Sequence, residues 1–316
     1  MASHLNQPHF QDPIKAREYL EAVRWPNGPI CPHCGVIGEH YEIKPKAESK
    51  SPARPGLWKC HACREQFSVT VGTVFERSKI ALNIWLQAVF FLCSSKKGMS
   101  SHQLHRMLGV TYKTAWFMTH RIREAMTETG GGLLGSGGQP VEVDETYWGK
   151  SAVGKRNAKV GRKIRGTAEK MKVVSMVERG GDVRSFHVAR VNAKNMVPVL
   201  QDNISWKAHL MTDEAHVYKT IGRKFAMHSA VNHSAGEYSR GIAHVNTMES
   251  FFGLFKRGLI GTFHHVGEQH LQRYLREFDF RYNNRKATDE ERTKNALKAI
   301  SGKRLTYRRI TGQQAA

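Results

Sequence analysis

The chain has 316 residues, enough to bury a sizeable core and to divide into two or three units. Its 49 Lys and Arg stand against 27 Asp and Glu, a formal charge of +22, and such a surface calls for a polyanion or a charged membrane as partner. No apolar run reaches the ~18 residues of a membrane-spanning helix, and Met1-Ala-Ser-His-Leu-Asn has no signal-peptide pattern, so a cytoplasmic protein that meets nucleic acid and no membrane is expected.

From the start of the chain, Ile14, Ala16, Tyr19, Leu20 and Val23 recur at helical spacing and predict a helix over Asp12–Val23. Trp25-Pro-Asn-Gly-Pro breaks it ahead of two C-x-x-C pairs, Cys31/Cys34 and Cys60/Cys63, separated by a Lys/Pro/Ser-rich stretch over 44–56. Each pair can wrap two thiolates round one metal, and two together supply the tetrahedral sulfur set of one structural Zn²⁺. A redox dithiol needs a single C-x-x-C at a helix start, which is not the pattern here. The gap between the pairs exceeds the usual ~15–20 residues, the excess falling in the basic stretch. His33 and His61 lie inside the knuckles, and Cys93, in an apolar helix, reads as a small buried side chain. Residues 1–75 thus form a helix and a zinc ribbon.

Residues 76–126 read as helical: an apolar helix over Ile80–Ser95, then Ser101–Leu108 and Thr111–Ala125. Ser100 and Gln103 are spaced as a capping box, and Thr111 caps the last helix after the Gly109-Val110 turn. Ala115, Met118, Ile122 and Ala125 make its inner face, and Lys113, Trp116, His120 and Arg121 its outer one. This is the pattern of a helix-turn-helix with Lys113, Trp116 and Arg121 offered to DNA; an ordinary hairpin with a solvated basic face has the same spacing.

The glycines of Thr129–Pro140 mark 127–140 as a linker. Beyond it, strands at Val141–Trp148, Lys172–Glu178 and Val183–Val191 precede a helix at Ala193–Asn203. A strand at Ala208–Thr212, a weaker one within Lys224–Asn232, and helices at Val245–Ile260 and Glu268–Tyr282 follow. That order is expected of an α/β, RNase H-like domain with a mixed sheet and flanking helices, here over 141–290, with 291–316 left as a basic tail. Between the first two strands, Gly149–Lys172 is rich in Lys and Arg. It reads either as a solvated run or as a segment laid on a DNA backbone through Lys155, Arg156, Arg162 and Lys163.

Asp144 is placed at the end of the first strand, where alternation puts Glu142, Asp144 and Thr146 on one face and Val141, Val143 and Glu145 on the other. Asp213 follows the apolar run of the fourth strand, as suits the crevice of an open sheet. In the next helix, Met248, Phe252, Phe255 and Leu259 form the core stripe, with Asn246, Glu249, Gly253 and Lys256 beside it. Taken singly, each acid reads equally as a solvated strand end or a surface charge. Three that met would repel unless cations sat between them, and two Mg²⁺ (or Mn²⁺) ions would serve.

Val143-Asp-Glu-Thr-Tyr-Trp-Gly, Thr212-Asp-Glu-Ala, His244-Val-Asn-Thr-Met-Glu-Ser-Phe-Phe and Glu277-Phe-Asp-Phe-Arg-Tyr-Asn-Asn-Arg resemble the zinc-ribbon-bearing DDE insertion-sequence transposases of bacteria. So do Arg24-Trp-Pro-Asn-Gly-Pro-Ile-Cys-Pro-His-Cys-Gly, the second cysteine knuckle with Gly72-Thr-Val-Phe, and Phe255-Lys-Arg-Gly-Leu-Ile-Gly-Thr-Phe-His-His-Val. The resemblance runs from about residue 10 to residue 285 in the family's order. It implies an RNase H-like fold whose metal-binding triad is Asp144, Asp213 and Glu249, and it selects Asp144 over Glu142 and Glu145. It further implies cutting and joining of element ends in double-stranded DNA, a homo-oligomer on that DNA, and a nucleoid-associated location. Asn246, His264 and His265 are added as residues that assist, and Lys256 as a DNA contact. Lys150 departs from the pattern, which has a second glycine after Gly149. Two rivals remain: a DNA-binding regulator and a plain RNase H-like nuclease.

Overall fold

The computed structural model describes residues 4–44, 53–128, 130–149, 167 and 169–306. They fall into two compact units, one running to Thr127 and resuming at Lys286, the other Glu128–Arg285.

In the first unit, α1 (Pro8–Gln11) leads into α2 (Pro13–Arg24), whose N-cap Asp12 accepts from the Ile14 and Lys15 backbone N–H groups. Strands β1 (His40–Glu42), β2 (Trp58–Cys60) and β3 (Gln66–Phe67) form a small antiparallel sheet in that order. Next comes α3 (Leu82–Ser94), which buries Trp85, Leu86, Ala88, Val89, Leu92 and Cys93. Helices α4 (Ser101–Leu108) and α5 (Tyr112–Ala125) follow, capped by Ser100 and Thr111, with Gly109 left-handed between them (φ 66°). The segment from 291 onward, read above as a tail, instead starts within a helix over Asp289–Lys298. A reciprocal Thr288/Glu291 capping box opens that helix, its Ala296 and Leu297 are buried, and Arg292 donates to the Cys93 carbonyl at 2.7 Å.

The second unit contains β4 (Val141–Trp148), β5 (Met171–Glu178), β6 (Val183–Val188), α6 (Ala193–Gln201), β7 (His209–Thr212), α7 (His216–Gly222), β8 (Met227–Ala230), α8 (Asn246–Gly258) and α9 (Glu268–Asn283). The sheet order is β6-β5-β4-β7-β8. The β6–β5–β4 pairs are antiparallel and the β4–β7–β8 pairs parallel, the arrangement of an RNase H-like domain. Alternation sends Val141, Val143, Val174 and Met176 into one core with Met196, Leu200, Tyr218 and Ile221 of α6 and α7. Val173, Val177 and Val183 go to the other, with Met248, Phe252, Phe255, Leu275 and Phe278 of α8 and α9. Each such side chain contributes ~1.5–3 kcal/mol when fully buried.

Among the described residues, the Gly-rich segment before β4 forms no helix or strand, yet it is packed into this unit. Leu134 is buried in the α6–α7 core, donates to the Asn203 carbonyl and accepts from the Ser205 N–H, both at 2.9 Å. Gly135 (φ 75°) passes so close to Ala208 and Val141 that a Cβ there would overlap both.

Polar side chains of α9 occupy the ladder positions on the outer edge of β6. Asn283 accepts from the Val183 N–H (2.7 Å) and donates to its carbonyl (3.0 Å). Asp279 accepts from the Ser185 N–H (2.8 Å), while Gln272 accepts from the His187 N–H (2.8 Å) and donates to the Ser185 carbonyl (2.9 Å). The edge is thereby closed to further pairing. Burial pushes the Asp279 carboxyl up to about 8, against the pull of the Ser185 hydroxyl and N–H. Between about pH 4 and 8 the native state therefore holds a proton that the unfolded chain has released, and this group lowers stability as pH rises through that window. Asp279→Asn is expected to flatten the fall in unfolding free energy between about pH 5 and 8. Denaturant titrations of both proteins check it; parallel pH profiles would mean that Asp279 stays ionised in the fold.

Candidate active site and metal centre

The four cysteines meet. Cys31 follows a bridge between Ile30 and Ile37, Cys34 sits in the turn before Gly35, Cys60 ends β2, and Cys63 lies in the turn to β3. All four Sγ atoms lie within 4.8 Å of one another, with Cys31–Cys63 and Cys34–Cys60 each at 3.7 Å. That is about the edge of a tetrahedron built on Zn–S bonds of ~2.3 Å, and far beyond a disulfide's ~2.05 Å. The Cys60 thiol is drawn down to about 6, chiefly by the Cys63 backbone N–H, while the Cys63 thiol is pushed up to about 12, one thiol of the crowded set ionising ahead of its neighbours. The donor set fits structural zinc.

The helix pair takes the expected shape with two corrections, the first being that His120, expected on the outer face, is fully buried. Lys113 is exposed and Trp116 is half-buried, its ring edge-on to His120 at 4.3 Å. Arg121, expected to face DNA, is 4 % exposed. It donates to the Glu76 carbonyl at 2.6 Å, its guanidinium lies over the Trp85 and Phe117 rings, and burial lowers its pKa to about 10. Nearly every residue from Met118 to Met126 is buried, so only the first turns of α5 offer a free surface. Lys155, Arg156, Arg162, Lys163 and Lys150 lie outside the described residues.

In the second unit, Asp144 is not at the end of its strand but the fourth of the eight residues of β4. What ends there is its neighbour: β7 pairs with β4 through Val141↔Leu210 and Glu142↔Met211 and stops at Thr212. That register, carried two residues further, sets Asp144 level with Asp213, just past β7. Burial above all, then Glu145, and against the 2.7 Å bond from the Glu145 N–H, push the Asp144 carboxyl up to about 8; Asp213 and Glu249 add to the rise. Asp213 is also raised, chiefly by burial, while accepting from the Ala215 N–H at 3.0 Å. Glu249 is exposed in the first turn of α8, its Oε1 3.6 Å from His233 Nδ1.

The three carboxylates are electrostatic neighbours but not a closed cage. Among the described residues, the cysteines are the one group of three or more ligand atoms that all fall within 4.8 Å. Raised carboxyls within electrostatic reach of one another are the donor chemistry that a divalent cation relieves. A cleft of about 590 Å³ opens beside Asp213, lined also by Glu214, Tyr218, His228, Asn232 and Arg240.

The remaining expected residues scatter along α8. Asn246 opens the helix and is exposed, and Lys256 is exposed two turns past Glu249. His264 and His265 follow a π-helical turn, Leu259–Phe263, beyond the far end of α8. At 1.5 Å per residue they stand roughly 20 Å along the helix from Glu249.

Glu214 and Tyr218, which spacing did not single out, and Glu142, which alternation set on the Asp144 face, surround the carboxylates. Glu214 accepts from the His233 and Ser234 N–H groups and the Ser234 hydroxyl, and that hydroxyl chiefly pulls it down to about 2. It thereby holds the turn that brings His233 to Glu249. Tyr218 donates to Glu145 at 2.6 Å, and Glu142 is fully buried against the start of α8. Only Asp213-Glu214 lay within a recognised motif.

A mixed sheet with acids at a strand end and on the following helix, in a chain that also carries a cysteine ribbon, defines a nucleic-acid-processing class. Residues 133–283 match the ISXO2-like transposase domain, a DDE domain, and residues 14–66 match the transposase zinc-ribbon domain. The chain is also 29% identical over 288 residues to an uncharacterized protein in transposable element ISH50 of Halobacterium salinarum, covering 86% of this chain and 91% of that one. It carries both domains of the zinc-ribbon-bearing DDE insertion-sequence transposases. These domains imply that it binds DNA, and no helix among the described residues is long and apolar enough to cross a membrane.

The ribbon yields the first test of metal content. Purified protein is expected to carry about one zinc per chain, and Cys31→Ser to lose it and unfold the ribbon, because such a site supplies folding energy outright. Cys93→Ser leaves the metal in place. Full zinc content in a Cys31→Ser/Cys60→Ser double variant would exclude the cysteine site.

Proposed function

We propose that the chain cuts DNA at the ends of an insertion sequence and joins those ends to a target, using two divalent cations held by Asp144, Asp213 and Glu249. The observation that carries this reading is the Asp144 carboxyl, set level with Asp213 by the β4–β7 register and pushed up to about 8 among neighbouring acids. Mg²⁺ or Mn²⁺, when bound, supplies an activated water for cutting and charge stabilisation for the leaving oxygen. The side chains do the rest. Asp144 gives up its proton to become a ligand, Asp213 is steered by the Ala215 N–H, and Glu249 closes the site from the helix side. Cutting and joining are both in-line displacements at phosphorus, with water and then a 3′-hydroxyl as nucleophile, so one site serves both and no protein–DNA covalent bond is needed.

DNA is held, in this reading, by Lys113 and Trp116 at the start of α5, by Lys256 on α8, and by Lys155, Arg156, Arg162 and Lys163. Asn246 stands beside the carboxylates on the exposed start of α8. The chain works as a homo-oligomer on DNA in the cytoplasm, since two ends must be joined together.

Asp213→Asn nearly preserves shape and removes a charge that holds the cations. Losing several kcal/mol of charge stabilisation is expected to lower cutting and joining of a labelled element end about a thousandfold. End binding is retained, as a gel-shift assay would show. Retained strand transfer would place the triad on other residues. A wild type that binds ends but neither cuts nor joins with Mg²⁺ or Mn²⁺ would make the chain a regulator, and cutting without joining would make it a nuclease.

Neutralising Lys155, Arg156, Arg162 and Lys163 together is expected to weaken binding to all sequences alike. It should also flatten the slope of log affinity against log salt by up to about four units. An unchanged slope would mean that this segment does not touch phosphate.

A further inference from the structure

We propose that Glu142 is a positioning residue: it fixes the first turn of α8 to β4, sets where Glu249 stands relative to Asp144, and so tunes the cation affinity of the carboxylate site. The proposal rests on the reading of that site given above and names a residue outside the triad.

Glu142 has no exposed surface, although it is an acid. It lies on β4 two residues before Asp144 and on the same face, about 6.6 Å away along an extended strand. Its Oε2 accepts from the Met248 backbone N–H at 3.0 Å, and its Oε1 from the Thr247 hydroxyl at 2.9 Å. Those two residues immediately precede Glu249. The N-cap of α8, Val245, offers no side-chain cap, so the strand's carboxylate takes that part at the positive end of the helix.

The charge is matched from the other side. Arg179 Nε donates to Oε1 at 2.6 Å, and His244 Nδ1 lies 3.3 Å from the same oxygen. The remaining Arg179 nitrogens donate to the Ile242 and His244 carbonyls at 2.7 and 2.9 Å, tying down the segment that feeds α8. One buried carboxylate thus joins the strand of Asp144, the turn of Glu249 and the loop between β8 and α8. A displacement of α8 passes directly to Glu249, whereas a buried ion pair elsewhere in the sheet would leave that residue untouched.

Two variants separate this role from general stability. Glu142→Gln keeps the volume but presents an amide N–H₂ to a ring of donors, and Thr247→Val removes one donor with almost no change of shape. Hydrogen exchange at the Met248 and Glu249 amides of the full chain, its zinc retained and no Mg²⁺ or Mn²⁺ added, is expected to quicken about tenfold or more in Glu142→Gln and less in Thr247→Val. Mn²⁺ affinity by calorimetry is expected to weaken about tenfold in the first, as is common for groups that orient metal ligands, and measurably in the second. Both are compared with wild type and with Asp213→Asn as the site-less control. If Glu142→Gln does not fold, Thr247→Val decides. Unaltered exchange at those amides, or folded variants with wild-type Mn²⁺ affinity, overturns the proposal. A wild type that binds no more Mn²⁺ than Asp213→Asn overturns the cation site itself, while exchange still reports on the clamp, so the two failures are told apart.

Discussion

Strand β4 is buried against helices on both faces, so every acid it carries must either be matched by donors or be costly to ionise. Its three acids are matched to different degrees. Glu142 is surrounded by Arg179, Thr247 and the Met248 N–H. Glu145, on the opposite face, has the Tyr218 hydroxyl, and burial still raises its pKa. Asp144 has the N–H of its own neighbour and is raised furthest of the acids beside it, to about 8. Along one strand the environment thus grades from an acid that holds the fold to one that the fold leaves unsatisfied. A largely buried carboxylate with so little to match its charge, level with the end of the neighbouring strand, is where a cation would be bound most usefully.

The topology explains why that site lies where it does. Parallel pairing of β4 with β7 is short, and β7 stops while β4 continues, which sets Asp144 level with Asp213, and the cleft opens on the Asp213 side. Helix α8 crosses the same face and presents its first turn there. The opposite flank is made inert, because Gln272, Asp279 and Asn283 of α9 take up the free groups of β6 that would otherwise invite another strand. The unit is open for chemistry at one place and closed for pairing at another.

Much of this was legible in the sequence because it depends on local period. Alternation divided Val141 and Val143 from Glu142 and Asp144 correctly, β4 has the expected bounds, and C-x-x-C spacing placed four sulfurs at one point. What failed to show depends on distance along the chain. Nothing near Glu142 signals that Thr247 and Met248 come to meet it, more than 100 residues on. Arg121 was misread because a helix wheel assumes one wet face, whereas the second half of α5 is enclosed all round and buries its charges on carbonyls and rings. Helix α7 is too short to show a period. The helix at Asp289 was missed despite its Thr-x-x-Glu signal, because its many charges read as a solvated tail. Leu134 was hidden among glycines that are needed for close approach and not for freedom.

The two candidate metal centres follow opposite physical logic. Four thiols at tetrahedral spacing leave no ligand position for a substrate, so binding energy there is folding energy and the site is complete. The carboxylates stand apart, on elements joined by a buried acid and not by one another, and two of them, Asp144 and Asp213, are raised by burial. Separation of that kind would be a defect in a structural site. In a site proposed to admit a phosphodiester between its ligands it is a requirement, because oxygen atoms of DNA must complete the coordination that the protein leaves unfilled. The precision such a site needs must then come from around the ligands. A fully buried Glu142, its carboxylate accepting from Arg179, Thr247 and the Met248 N–H, is the part of this fold proposed to supply it.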